Sequence, residues 1–203
     1  MTDEFILLQQ AKEGDHEAFQ ELRQTLYPMI HRFVSRLIGH REDTEDIMQN
    51  VFIALYANIE DIDPPKKLRP FLFRVARNQC YDVLRHRKYR QTMDYNDDLS
   101  ELLPSRDISP EESTHWRILY EQVKLAIDRL PQAQREVLIL YAEERLGYEE
   151  IAEVVHTNVG TVKSRLHYAK RTLRGMLDTT LLEAMGIIPS AESILKSRLN
   201  GDR

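Results

Sequence analysis

Residues 161–174 form a strongly basic stretch in an acidic chain. The stretch, TVKSRLHYAKRTLR, holds five Lys or Arg residues and no acid, whereas the whole chain of 203 residues has a formal net charge of −5. On a helix its apolar and cationic side chains fall on two adjoining faces. An outer helix face usually mixes the two signs of charge, so an acid-free cationic face favours contact with nucleic-acid phosphate over simple solvation.

The residues ahead of this stretch predict a helix-turn-helix motif. A short helix, YEEIAEVV, is followed by the turn HTN, in which Asn158 or Thr157 can cap the next helix. The second helix of such a motif enters the major groove, where cationic and hydroxyl side chains meet phosphates and base edges. The candidate duplex-binding residues are Thr161, Lys163, Ser164, Arg165, His167, Lys170, Arg171 and Arg174.

A second basic region, residues 66–90, has aromatic residues between its charges. It contains nine Lys or Arg and four Phe or Tyr against a single acid, Asp82. Rings can stack on splayed bases while cations pair with phosphates, so the combination suits single-stranded or opening DNA. For Phe71 and Phe73 a core position is the open alternative. The candidate strand-binding residues are Phe71, Phe73, Arg74, Arg77, Asn78, Arg85, Arg87 and Lys88.

The elements that must position these residues are predicted to be helices. Helical spacing of apolar residues runs along most of the chain, and no stretch alternates as a strand would, so the predicted fold class is all-α. Residues 94–112 hold seven acids against one Arg and no sustained apolar stripe, as a flexible linker does. Two small domains, 1–93 and 113–177, are therefore expected on either side of it, followed by an extension, 178–203, of unassigned role.

Composition and motifs argue against several other classes of protein. No apolar run approaches the roughly 18 residues of a membrane helix, and the start, MTDEF, lacks the layout of a signal peptide, so the cytosol is the expected location. The lone Cys80 excludes an intrachain disulfide. Without an H-E-x-x-H spacing or a Gly-rich phosphate loop, we expect no metal, no cofactor and no catalytic residue.

Together these segments resemble the extracytoplasmic-function (ECF) sigma factors, the smallest promoter-specificity subunits of bacterial RNA polymerase. REDTEDIMQNVFIALY resembles the helix that docks on the largest polymerase subunit, and FLFRVARNQCYDVLRHRKYR resembles the segment that melts and reads the minus-ten element. The stretch from LPQAQREVL to AKRTL is similar to the domain that binds the minus-thirty-five element. The residues that the resemblance implies for binding core polymerase are Asp43, Asp46, Gln49, Asn50 and Phe52.

The resemblance covers residues 5–92 and 113–177 and implies a sigma factor that directs promoter-specific initiation and melts DNA at the minus-ten element. In the family, the position of Asn78 helps to hold a flipped non-template base. The implied partners are core RNA polymerase, promoter DNA as duplex and as single strand, and an anti-sigma factor or other regulator that could hold the chain at the membrane. His167 and Tyr168 depart from the family's usual aromatic or basic residue followed by Arg.

Two other classes of protein are alternatives to this interpretation. A sigma mimic that only titrates an anti-sigma factor would not need two basic faces. A dimeric helix-turn-helix repressor would not need the docking helix or the aromatic strand-binding region. The sequence therefore predicts a sigma factor that is not an enzyme.

Overall fold

The structure is a computed structural model that describes residues 2–39, 41–93 and 114–177. Every regular element in these ranges is a helix and none is a strand, which confirms the all-α prediction. The predicted linker, 94–112, and extension, 178–203, lie outside the described residues. The helices in chain order are α1 (Thr2–Lys12), α2 (His16–Ile38), α3 (Arg41–Ala57), α4 (Leu68–Met93), α5 (Thr114–Asp128), α6 (Gln132–Ala142), α7 (Tyr148–Val154) and α8 (Val159–Met176).

The chain divides into two compact units, the first containing α1–α4 and the second built mainly from α5–α8. The predicted domain bounds fall beside residues outside the described ranges, so they stay predictions. Two short 3₁₀ turns, Ile59–Asp61 and Pro65–Lys67, join α3 to α4.

Helix α2 of the first unit is fixed at both ends. The Asp15 carboxylate accepts hydrogen bonds from the backbone N–H groups of Glu17 and Ala18, at 2.9 and 3.1 Å, and caps the first turn. Gly39 ends the helix with φ 69°, a left-handed conformation that a Cβ would strain. The buried residues of α2 are Ala18, Leu22, Leu26, Ile30, Phe33, Val34, Leu37 and Ile38.

Helices α3 and α4 pack against α2 and against each other. The ring of Phe33 on α2 meets the ring of Phe73 on α4 edge to face, with centroids 5.1 Å apart, and both rings are fully buried. Such pairs add to the stabilisation that buried aromatic area already provides. This contact fixes which side of α4 faces the core and therefore which side faces outward.

Helix α1 is tied to the start of α4 and to the turn before it. The Glu4 carboxylate forms a two-point ion pair with Arg69, with Nε–Oε2 and Nη2–Oε1 distances of 3.1 and 2.6 Å. The Lys12 ammonium donates a hydrogen bond to the backbone oxygen of Ile62 at 2.8 Å. Because these contacts join residues far apart in sequence, they hold α1 against the segment that leads into α4.

In the second unit, α6 and α8 form the main packed pair. Helix α8 begins at a cap, where the Asn158 side-chain oxygen accepts from the backbone N–H of Thr161 at 2.8 Å, which confirms Asn158 as the predicted cap. In the turn before it, His156 adopts a left-handed conformation with φ 50°. The buried residues of α8 are Val162, Leu166, Ala169 and Leu173.

Candidate nucleic-acid interface

Most of the basic residues of α8 lie on the side of the helix away from its buried stripe. The side chains of Lys163, His167 and Arg171 are exposed, and Lys170 is half-buried. Helix α8 carries no acidic residue from Val159 to Met176, so nothing on the helix itself neutralises this face. Ser164 and Arg174 are also exposed. Most of the predicted duplex-binding residues therefore share one outward surface.

Thr161 takes part in the cap of α8. Its backbone N–H and its hydroxyl both donate to the side-chain oxygen of Asn158, at 2.8 and 3.1 Å. The hydroxyl is therefore engaged within the protein, and its predicted contact with DNA would have to replace or share this hydrogen bond.

Arg165 has an internal partner. Its Nη1 lies 3.5 Å from the Oε1 of Glu136, whose side chain is fully buried on α6. A buried carboxylate needs a nearby cation or donors, because removing it from water is costly. This placement favours a structural role for Arg165, which holds α8 to α6, over the predicted contact with duplex DNA.

Two tyrosines lie under the lysines of α8. The Nζ of Lys163 is 5.6 Å from the ring centroid of Tyr148, and the Nζ of Lys170 is 4.6 Å from that of Tyr141. The two rings stack on each other with centroids 5.7 Å apart and planes 10° apart. Neither tyrosine lies in the basic stretch, so the sequence alone assigns neither of them to the candidate interface.

A third ring belongs to α8 itself. The Arg171 guanidinium lies 5.0 Å from the ring centroid of Tyr168, and His167 meets the same ring edge to face at 5.6 Å. Tyr168 is exposed. The departure from the family pattern at residues 167 and 168 thus places an aromatic cluster beside the cations of this face.

The predicted strand-binding residues of α4 divide between the core and the surface. Phe73 is fully buried against Phe33, so the core alternative is correct for this ring, and it cannot stack on a base in this position. Phe71 is half-buried, with the Arg74 guanidinium 5.7 Å from its ring centroid. One turn later, Arg77 lies 4.3 Å from the ring centroid of Tyr81, and Asn78 is exposed.

The arginines near the end of α4 have carboxylate partners. Arg85 pairs with Asp82 one turn earlier. Arg87 pairs with Asp43 of α3 and also donates to the backbone oxygen of Ile38 at 3.1 Å. A predicted polymerase-binding residue, Asp43, is therefore joined to a predicted DNA-binding residue, and the pair connects three helices. The predicted side-chain role of Lys88 lies outside the described residues.

The predicted polymerase-binding residues lie on α3. Asp46, Gln49 and Asn50 are exposed, whereas Phe52 is only 6% exposed. The Phe52 ring stacks on Tyr27 at 6.1 Å and lies under the Arg23 guanidinium at 5.7 Å, so it supports the surface from beneath.

Two exposed apolar residues extend this face of α3. Ile53 and Tyr56 are 58% and 56% exposed. They follow Gln49 and Asn50 at helical spacing, so they lie on the same side of the helix. That spacing was available in the sequence, and an exposed apolar pair next to amides is typical of a protein interface.

Two titratable groups of the first unit have raised pKa values. Burial raises the pKa of the Cys80 thiol to about 12, so the thiol is protonated and unreactive at neutral pH. Burial, then the Glu45 carboxylate, raises the pKa of Tyr27, whose hydroxyl donates to Glu45 at 3.2 Å. Neither shift creates a catalytic group near the cationic faces.

Two features of other protein classes are absent from the described residues. No cluster of three or more His, Cys, Asp or Glu in these ranges could hold a metal ion. None of the described helices is long and apolar enough to cross a membrane.

Comparisons with known proteins match both units. Residues 22–90 match the family described as Sigma-70 region 2, and residues 120–173 match Sigma-70, region 4. The chain is 30% identical over 176 residues to the ECF RNA polymerase sigma factor SigW of Bacillus subtilis, covering 84% of this chain and 94% of that protein.

Two solved structures share the fold. One is CnrH in complex with the cytosolic domain of CnrY, with a TM-score of 0.62 at 24% identity, covering 87% of this chain and 97% of that one. The other is the sigma factor RpoE in complex with the anti-sigma factor NepR from Bartonella quintana, with a TM-score of 0.63 at 24% identity, covering 79% and 98%. The two matched regions and the relatedness to SigW show that the chain belongs to the ECF sigma factors of RNA polymerase, the subunits that direct promoter-specific transcription initiation.

Proposed function

We propose that this sigma factor divides its promoter contacts between its two units. Helix α8 binds duplex at the minus-thirty-five element, and α4 holds the opened non-template strand at the minus-ten element. The observation that carries the proposal is the exposed cationic face of α8, which has no acid along its length and lies opposite a fully buried stripe. Such a face gains affinity by releasing counterions from DNA phosphates.

The residues proposed for the duplex contact are the outward ones. Lys163, Lys170, Arg171 and Arg174 supply charge, and Ser164 and His167 supply hydrogen-bonding groups near base edges. Arg165 is left out because its guanidinium lies beside the buried Glu136.

The proposal for α4 rests on a smaller set of residues than the sequence suggested. Phe71 offers a half-buried ring, Arg74 and Arg77 lie over aromatic rings, and Asn78 is exposed in the next turn. Rings and amides can hold an unstacked base while guanidinium groups bind the strand. Melting costs a few kcal/mol per unstacked step, which such contacts offset.

For core polymerase we propose the outward face of α3, with Asp46, Gln49 and Asn50 at its centre. Ile53 and Tyr56 add apolar area beside them. The net charge of −5 fits this route, because a subunit that reaches DNA through polymerase gains little from binding nonspecific DNA alone. Docking therefore comes before promoter contact.

We further propose that the chain works in the cytoplasm and is held inactive by an anti-sigma factor. The support is the likeness to the solved sigma factor whose complex contains the anti-sigma factor NepR. An anti-sigma factor that covered α3 or α8 would block polymerase or promoter, respectively.

The test is transcription with purified core polymerase and the full chain on a pool of promoter fragments. We expect sequence-selective start sites, an approximately tenfold or greater loss of promoter affinity for Lys163→Glu, and normal affinity with reduced strand opening for Asn78→Ala. Permanganate reactivity of unpaired thymines measures the opening separately from binding.

The matched control is Arg129→Glu, which makes the same kind of charge reversal at an exposed residue of the second unit outside α8. If the control loses as much affinity as Lys163→Glu, the effect reports net charge and the α8 contact is wrong. If no start site is selected from the pool, the proposed promoter contacts fail altogether.

A further inference from the structure

Tyr141 and Tyr148 form a stacked pair beneath the basic face of the second unit. Tyr141 lies near the end of α6 and Tyr148 begins α7, so the loop between these helices brings the rings together. Their planes are 10° apart, and both side chains are half-buried. The pair therefore presents ring surface at the edge of the unit and is not closed inside its core.

One lysine of α8 lies over each ring. The ammonium of Lys170 is 4.6 Å from the Tyr141 centroid, and that of Lys163 is 5.6 Å from the Tyr148 centroid. The two lysines are two helical turns apart, so they project from the same side of α8. Both distances are within the range of a cation–π contact.

We propose that the Tyr141–Tyr148 pair positions Lys163 and Lys170 for promoter duplex, so that these tyrosines are positioning residues for the minus-thirty-five contact. The inference rests on the proposed duplex contact of α8. A free lysine side chain loses much rotamer freedom when it is held at one phosphate. A ring beneath the ammonium already restricts the lysine side chain in the unbound protein, so less rotamer freedom is lost when DNA binds.

The geometry leaves the lysines available for phosphate. An ammonium has three N–H donors, and a ring face attracts it from one side only. A ring also brings no negative charge, so unlike a carboxylate it leaves the positive charge of the face intact for DNA. The tyrosines thus hold the lysines without neutralising them.

The experiment measures affinity of the holoenzyme, formed from the full chain and core polymerase, for a labelled promoter fragment chosen by start-site mapping. We expect Tyr148→Leu and Tyr141→Leu each to weaken binding about two- to fivefold, the size of a surface cation–π contact. The matched controls Tyr148→Phe and Tyr141→Phe keep the ring and should bind as the parent chain does.

Double variants separate this inference from the proposed function. In a Lys163→Met background, Tyr148→Leu should have no further effect, because the ring then has no ammonium to position. In a Lys170→Met background the same holds for Tyr141→Leu. Thermal unfolding of each variant detects any loss of the fold, and either pair suffices if one leucine variant fails to fold.

Three outcomes would overturn the inference. Leucine variants that bind as well as or more tightly than the parent would show that the rings are neutral or compete with phosphate. Phenylalanine variants as weak as the leucine variants would assign the effect to the hydroxyl groups. Full additivity in the double variants would make the tyrosines independent of the lysines. If Lys163→Met and Lys170→Met themselves have no effect, the proposed duplex contact of α8 is wrong as well.

Discussion

Helices α4 and α8 are both rich in basic residues, but those residues have different neighbours. Among the arginines of α4, Arg69, Arg85 and Arg87 pair with carboxylates, two of which belong to other helices, while Arg74 and Arg77 lie over aromatic rings. In α8 three cations lie over tyrosine rings. The α4 pairs are Arg69 with Glu4, Arg85 with Asp82 and Arg87 with Asp43, and the α8 contacts are Lys163 with Tyr148, Lys170 with Tyr141 and Arg171 with Tyr168.

This difference shows that a count of basic residues is a poor measure of a DNA-binding surface. A carboxylate neutralises the charge of its cation within the protein, whereas an aromatic ring restrains the cation and leaves its positive charge unchanged. The basic residues of α4 therefore contribute partly to the fold of the first unit. Those of α8, apart from Arg165, lie away from its buried stripe, which fits the proposed contact with DNA phosphate.

The largest expected effect is on the buried side of α4. Phe73→Ala should lower the free energy of unfolding of the first unit by about 3–5 kcal/mol, because it empties a fully buried site against Phe33. Hydrogen exchange of the α2 and α4 amides measures the loss. Phe71→Ala is the control, since replacing the half-buried Phe71 should lower the free energy of unfolding much less. Equal losses for the two variants would mean that α4 does not have one core face and one outer face.

The next largest effect is expected at Arg165, the basic residue of α8 that lies beside a carboxylate. Arg165→Met should destabilise the second unit by about 2–3 kcal/mol, because it removes the cation that lies 3.5 Å from the fully buried Glu136 carboxylate. Adding Glu136→Leu should recover much of the loss in denaturant unfolding. A stable Arg165→Met variant with weakened promoter binding would instead return Arg165 to the duplex-binding set.

Substitutions of one asparagine in each region test the same contrast, with smaller expected changes in stability. Asn158→Ala should cost about 1 kcal/mol of stability, because it removes the cap that accepts from Thr161. Asn78→Ala replaces an exposed residue inside α4 and should leave stability nearly unchanged while strand opening falls. Thermal unfolding distinguishes them, and a similar loss for both would contradict the assignment of Asn78 to DNA.

The smallest change is expected at Cys80, on the buried side of α4. Since burial raises the pKa of this thiol to about 12, alkylation at neutral pH should proceed no faster than the first unit opens. The rate should rise in Phe73→Ala, which destabilises the first unit, and stay unchanged in Arg165→Met, which affects the second unit. Cys80 is the only cysteine of the chain, so the alkylation reports this site alone. Rapid alkylation of the parent chain would show that this side of α4 is open.

Much of the fold could be predicted because its signals are local. The Asn158 cap, the apolar stripe of α8 and the turn before it lie within about twenty residues, and their spacing is set by helix geometry alone. The same holds for the outward positions of Asp46, Gln49 and Asn50 on α3.

The remaining features depend on partners far away in sequence. Phe71 and Phe73 are equally apolar, and Phe73 is the one whose ring packs against Phe33 of α2. The Arg87–Asp43 and Arg165–Glu136 pairs join helices that no local pattern brings together. The tyrosine pair under the lysines depends on the α6–α7 loop, which brings the two rings together, so no spacing within the basic stretch could indicate it.

The most direct test of the contrast between the two helices compares Lys170→Met with Arg87→Met in the full chain. Each variant removes one positive charge, and each is measured for unfolding and for the salt dependence of promoter binding by the holoenzyme. We expect Lys170→Met to leave stability nearly unchanged and to reduce the slope of log K against log salt by about 0.9, the value of one phosphate contact. Arg87→Met should lower stability by about 1–2 kcal/mol and leave the slope unchanged. A loss of slope in Arg87→Met, or a loss of stability without a change of slope in Lys170→Met, would contradict the division of roles between α4 and α8.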